Sequence, residues 1–137
     1  MTPLIVWSDE LCVGVAGMDE DHRQLVEIIN ELCESIVHGA DREVVNAILD
    51  RLVAVNGQHF ASEEKLLQDA GYPEVMDHKL EHDQMSRWAI DCEFHFNQGT
   101  LSVTLPELLM QLRERTLSHI LDSDKHYGRF LNQKGIY

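Results

Sequence analysis

The sequence predicts an all-α protein, an antiparallel up-down-up-down four-helix bundle carrying an irregular N-terminal arm. Three observations lead there. Apolar residues recur at three- and four-residue spacing through four long segments, Gly and Pro fall between those segments, and no stretch shows the period of two of a half-buried strand. Short connections make successive helices antiparallel neighbours. The 137 residues fit a single domain, 1–137, able to bury one hydrophobic core.

The arm covers about 1–18, where Trp7 and Val13 are apolar enough to pack along the bundle. The first helix runs from about 19 to 38 with Leu25, Ile28, Ile29, Leu32 and Ile36 on one face. Asp19, Glu20 and Asp21 crowd its start, where the helix dipole favours negative charge. Gly39 is placed to cap its end, and Asp41 to cap the start of a second helix over 42–69. Val44, Ile48, Leu52, Val55, Phe60, Leu66 and Leu67 are its expected apolar positions. Gly71-Tyr72-Pro73 stops it, and Pro73 suits the first turn of a third helix over 74–96. Asn97-Gln98-Gly99 closes that helix, and Thr104-Leu105-Pro106-Glu107 forms a capping box that opens a fourth over 105–131.

A net charge of −13 argues against a nucleic-acid partner, since phosphate binding needs clustered Lys and Arg, and against docking on an anionic membrane. No apolar run is long enough to span a bilayer, and the N-terminus lacks the basic region of a signal peptide. Cys12, Cys33 and Cys92 are odd in number and widely spaced, which reads as reduced thiols in a cytoplasmic protein, with Cys33 and Cys92 as small core residues. No helix face shows a large apolar surplus, so a monomer is expected, with room for a redox or signalling partner.

Histidine is the anomaly, with eight residues. His59 and Glu63 lie four apart on helix two, as do His78 and His82 on helix three, and such pairs project from one face at about 5–6 Å. Helix one offers His22, and helix four offers His119 with Asp122 and Asp124 beyond it. His22 and His82 come early in helices running one way, Glu63 and His119 late in helices running the other. All four therefore fall toward one end of the bundle. Five imidazoles and two carboxylates exceed the four ligands of a structural zinc, but they suit two metals sharing bridging carboxylates. Imidazole-rich sites accept iron, copper, zinc or nickel, and the absence of Cys disfavours an iron–sulfur cluster or Cu(I).

His22, His59-x-x-x-Glu63, His78-x-x-x-His82 and His119-x-x-x-x-Asp124 resemble the ligand signature of the hemerythrin family. The surroundings resemble its single-domain bacterial branch: Trp7, Val13-Gly14-Val15 and Met18-Asp19, then Leu25, Ile29-Asn30, Phe60, Glu64, Gly71-Tyr72-Pro73 and Ile120. The resemblance implies two non-haem iron ions joined by an oxo or hydroxo bridge. One would be held by His78, His82 and His119, the other by His22 and His59, with Glu63 and Asp124 bridging. It implies reversible binding of molecular oxygen for storage, delivery or sensing. The alternative is a di-iron enzyme (a peroxidase, an oxidase or a nitric-oxide-consuming centre) using the same site.

Regular helical geometry would pair His119 with Asp122, three residues on. The family pattern selects Asp124, which requires a local π-type distortion. The family also carries Trp-Leu where this chain has Arg115 and Thr116, so both are expected in the wall of the oxygen pocket. His38, His95 and His126 fall outside the pattern as surface or helix-end residues. Glu64, Glu81 and Asp122 are expected on solvated faces, with the option of bonding an imidazole N–H. Trp88, Phe94 and Phe96 are expected in core or end packing.

Overall fold

The computed structural model describes residues 3–137, so Met1 and Thr2 of the arm lie outside the described residues. Helices α1 (Ala16–Val37), α2 (Arg42–Asp69), α3 (Val75–Gln98) and α4 (Leu105–Ser118) follow in order. The last continues without a break through a π-helical turn, His119–Asp124, into α5 (Lys125–Gln133). Among the described residues there is no strand, and no helix is long and apolar enough to cross a membrane.

Helix ends follow the local chemistry. Gly39 (φ 69°), Gly71 (φ 74°) and Gly99 (φ 72°) take the left-handed conformation just past α1, α2 and α3. Thr104 and Glu107 form the reciprocal capping box, with Pro in the first turn of α4. The side chains of Leu25, Ile29, Leu32, Ile48, Leu52, Leu67, Leu112 and Leu131 meet along the bundle axis. On α2 the inward valine is Val45, not Val44, which is 47% exposed. Val45 lies three residues before Ile48 and Val44 four, so spacing alone could not separate them.

The arm is more ordered than its composition suggested. It forms a short 3-10 turn, Asp9–Leu11, and α1 begins three residues before Asp19. The Asp19 carboxylate accepts the Val13 N–H at 2.7 Å, which holds the arm against the start of α1. Asn30 exchanges two 2.9 Å hydrogen bonds with the Ile5 backbone, and Asn132 Nδ2 donates to Gly14 O at 2.9 Å. The arm lies so close to α5 that a Cβ on Gly128 would stand 2.0 Å from the Val13 carbonyl oxygen. Cys33 is buried and Cys92 half-buried. Phe94, expected in packing, is 57% exposed, because it lies on the outer face of α3.

Candidate metal centre

The structure brings all seven sequence-predicted donors together. His22 from α1, His59 and Glu63 from α2, His78 and His82 from α3, and His119 and Asp124 from the π turn are each no more than 4% exposed. Their ligand atoms form two overlapping sets: His78, His82 and His119 with Glu63 and Asp124, and His22 and His59 with the same two carboxylates. Within each set the atoms lie within 4.8 Å of one another.

Each carboxylate divides its oxygens between the sets. Glu63 Oε1 is 2.6 Å from His78 Nε2 and 3.1 Å from His82 Nε2, while Oε2 is 3.0 Å from His59 Nε2. Asp124 Oδ1 is 3.0 Å from His119 Nε2 and 3.1 Å from His78 Nε2, while Oδ2 is 3.0 Å from His22 Nε2. One oxygen toward each group of imidazoles is the disposition of a bridge.

Asp124 reaches this position because the helix is π-wound. In a π turn the backbone bonds from i to i+5, so a residue five positions on returns to the same face. Asp124 is fully buried five residues after His119, whereas Asp122 is exposed and lies 3.3 Å from the Ser118 hydroxyl. Regular winding would have exchanged them.

The imidazoles are held from behind. Asp21 Oδ2 lies 2.9 Å from His59 Nδ1, Glu64 Oε2 lies 2.8 Å from His82 Nδ1, and Glu81 Oε1 lies 2.6 Å from His119 Nδ1. A carboxylate at Nδ1 keeps a proton there and aims Nε2 at the centre, as the nitrogen that would bind a metal. Ser123 donates to both Glu81 oxygens at 2.7 and 2.9 Å. Tyr127, fully buried one turn past Asp124, donates its hydroxyl to Glu63 Oε2 at 2.8 Å. Phe60 stacks on His82 with ring centroids 3.8 Å apart. Neither Tyr127 nor Asp21 was marked as a site residue by spacing.

Charge is balanced inside the cluster. Burial would lower the His22 imidazole, but Asp124 and Glu63 outweigh it and raise it to about 9. His78 is raised to about 9 by the same pair against the same opposition. His119 is raised to about 10, where Asp124 and Glu81 overcome burial. Burial acts to raise both Glu63 and Asp124, yet the surrounding imidazoles hold each below the usual carboxylate range.

The donor set fits a pair of cations. His22 Nε2, His59 Nε2 and both Asp124 oxygens are buried without an aligned hydrogen-bond partner, although neighbours stand at 3.0 Å. His82 Nε2 and His119 Nε2 face each other at 3.1 Å with both Nδ1 atoms on carboxylates. Once these imidazoles give up their Nε2 protons, the converging lone pairs and the two carboxylates are left with only a cation to satisfy them.

Beside the His22 and His59 side of the cluster lies a cavity of about 30 Å³. Leu25, Ile29, Leu52, Phe60, Leu112 and Ile120 supply most of its wall, with Asn56 and Thr116 as polar members. Thr116 is 9% exposed, as a wall residue should be. Arg115 is not in the wall. It is exposed, with its guanidinium 4.5 Å over the Trp88 ring, because the residue before a wall position on α4 points about 100° away. His38 and His95 are exposed, and His126 pairs with Glu74 at 2.8 Å, outside the cluster.

A four-helix bundle whose core holds two nitrogen-rich donor sets sharing two carboxylates is a dinuclear non-haem metal protein. Residues 13–131 match the model of the hemerythrin HHE cation-binding domain, and the chain belongs to that family. It is 31% identical to a bacteriohemerythrin of Stenotrophomonas maltophilia over 91% of this chain and 80% of the relative. It is 29% identical to one of Methylococcus capsulatus over 94% and 98%. A wild-type hemerythrin crystal structure superposes with a TM-score of 0.85 at 29% identity, covering 92% of this chain and 96% of that one.

Proposed function

We propose that this protein is an oxygen-binding non-haem di-iron protein that binds molecular oxygen reversibly, for storage, delivery or sensing, rather than turning over a substrate. His78, His82 and His119 would hold one iron and His22 and His59 the other, with Glu63 and Asp124 shared. A ferrous pair held this way supplies the electrons that reversible oxygen binding draws on.

The chain's own contribution is to orient, balance and exclude. Asp21, Glu64 and Glu81 fix three imidazoles through Nδ1, and Tyr127 fixes the Glu63 carboxylate. The two lowered carboxylates offset cationic charge in a place where water cannot. The aliphatic wall keeps solvent protons away from the ligand. The observation that carries the reading is the cavity itself. About 30 Å³ accommodates roughly two water-sized spheres, which suits a diatomic molecule.

The three free cysteines support a reducing, cytoplasmic setting. To test the function, the iron-loaded protein is reduced anaerobically, exposed to oxygen, and then stripped of it while visible spectra are recorded. A band that appears with oxygen and vanishes on its removal is expected. Direct passage to a stable ferric spectrum would overturn the reading in favour of a di-iron enzyme.

A further inference from the structure

The outer face of α3 carries large apolar side chains that the bundle leaves uncovered: Met76 at 72%, Leu80 at 57%, Ile90 at 50% and Phe94 at 57% exposure. Between them on the same face stand Asp83 and Arg87, both exposed. The six positions are separated by four, three, four, three and four residues, which is the strict alternation of a coiled-coil seam. A helix that served only as the solvated side of a bundle would have charged or polar residues here. Single exposed apolar residues are ordinary, but four of them on one seam are not.

The seam is also self-complementary. Met76 and Phe94, Leu80 and Ile90, and Asp83 and Arg87 are each placed symmetrically about position 85. Laid antiparallel against a second copy, each apolar residue meets an apolar residue. Each Asp83 meets the partner's Arg87, and each Arg87 the partner's Asp83. A two-fold axis generates this pairing without further adjustment, as an isologous interface requires. The layers combine the two seam positions of an antiparallel coiled coil in alternation, and the polar layer at the middle fixes the register. Within one chain Asp83 is engaged only by the exposed Lys79, at 3.0 Å, and Arg87 makes no ion pair among the described residues.

We propose that α3 pairs antiparallel with α3 of a second copy to form a symmetric dimer through this seam. The seam runs for about 27 Å at 1.5 Å per residue, which places the interface at the small end of specific contacts. The association is therefore weak and concentration-dependent. The charge of −13 on each copy opposes it, and physiological salt screens that repulsion beyond about 8 Å. The expectation of a monomer rested on the lack of an apolar surplus, and α3 has one on the face opposite His78 and His82.

Sedimentation velocity of the iron-loaded protein, from about 10 μM to about 1 mM in 0.15 M salt, tests the proposal over the range of weak affinities. The wild type is expected to shift toward a dimer with rising concentration. Arg87→Glu, which sets like charges against the partner's Asp83, should weaken association at least tenfold. The double variant Asp83→Arg, Arg87→Asp should restore it, because the swapped charges still pair across the axis. Leu80→Glu should abolish it. Circular dichroism and iron content serve to show that each variant is folded. A wild type that stays monomeric at the highest concentration overturns the proposal. So does a dimer indifferent to Arg87→Glu, or a charge swap that fails to rescue in folded protein.

Discussion

Tyr127 donates its hydroxyl to Glu63 at 2.8 Å, and neither side chain has contact with solvent. A phenol that remains protonated, held far above its usual range by burial and by the nearby carboxylates, is a permanent donor to the oxygen on the His22 and His59 side. Tyr127→Phe leaves that oxygen short of one partner. Loss of a group that orients a metal ligand typically costs about 10- to 100-fold in metal affinity. Chelator competition should show iron held more weakly by that order, and unchanged retention would count against the role.

Asp124 and Asp122 differ by two positions and by their entire environment. Asp124→Ala is expected to lose most of its iron, while Asp122→Ala keeps the wild-type iron content. Metal analysis of the two purified variants decides between them. The reverse result would mean that the π turn does not persist in the loaded protein.

Thr116 puts a hydroxyl in the wall of an otherwise mostly aliphatic cavity. Beside bound oxygen it can donate a hydrogen bond or support a water molecule, and either hastens loss of the reduced state. Thr116→Leu should slow autoxidation by about fivefold, the worth of one hydrogen bond of ~1 kcal/mol on the barrier. Arg115→Leu should leave the rate unchanged, since its guanidinium lies over Trp88. Equal rates in wild type and Thr116→Leu would remove the hydroxyl from the argument.

In the metal-free protein, pH acts through the cluster. His22 and His78 at about 9 and His119 at about 10 are raised above an ordinary 6.5. Their contribution to stability is complete below about 6.5 and is lost as pH rises through 9 to 10. Glu63 and Asp124 are lowered from 4.5 and 3.8, so their contribution is present above those values and fades as pH falls below them. Melting temperature without metal should peak between about 4.5 and 6.5 and decline toward pH 10. Loading iron near pH 7 should release protons from the three raised imidazoles, and a pH-stat titration would record them. A metal-free melting temperature that climbs from pH 6.5 to 9 is incompatible with this account.

Gly128 faces the arm, where a Cβ would stand 2.0 Å from backbone oxygen that cannot rotate away. Helix propensity alone favours Ala over Gly by about 1 kcal/mol. Gly128→Ala should instead destabilise, by about 1–3 kcal/mol, as an overpacked core does. Denaturant unfolding gives the sign directly, and stabilisation would mean the arm is free to move off α5.

The four helices were legible because Gly, Pro and the capping box sit where regular winding must end, as at Gly71-Tyr72-Pro73 and Thr104-Leu105-Pro106-Glu107. The imidazole pairs were legible because four-residue spacing has a fixed meaning on a helix. Asp124 was not legible from spacing, since a π turn leaves no compositional mark, and only the family pattern pointed to it. Asp21, Glu64 and Glu81 look alike in sequence to acids on a solvated face. What distinguishes them is the imidazole on the neighbouring helix, a long-range fact. Tyr127 directly follows the polar run Asp124-Lys125-His126, where nothing announces a buried donor. Arg115 and Val44 were misplaced for the opposite reason: neighbours one residue apart on a helix face different surroundings, and periodicity resolves them poorly.

The π turn amounts to one surplus residue in an otherwise continuous rod. Upstream of it the rod turns Thr116 and His119 toward the metal centre. Downstream its phase has slipped, so that Tyr127 still reaches the centre while Gly128 and Asn132 meet the arm. One helix thereby serves two neighbours that a uniform helix of the same length could not serve together. Removing Asp122 would leave His119 and the Asp124 carboxylate four apart, the same-face spacing of His59 and Glu63. A uniform helix one residue shorter would then keep both the donor and the arm's docking surface in register. The π turn is how the rod absorbs its extra residue without disturbing either end.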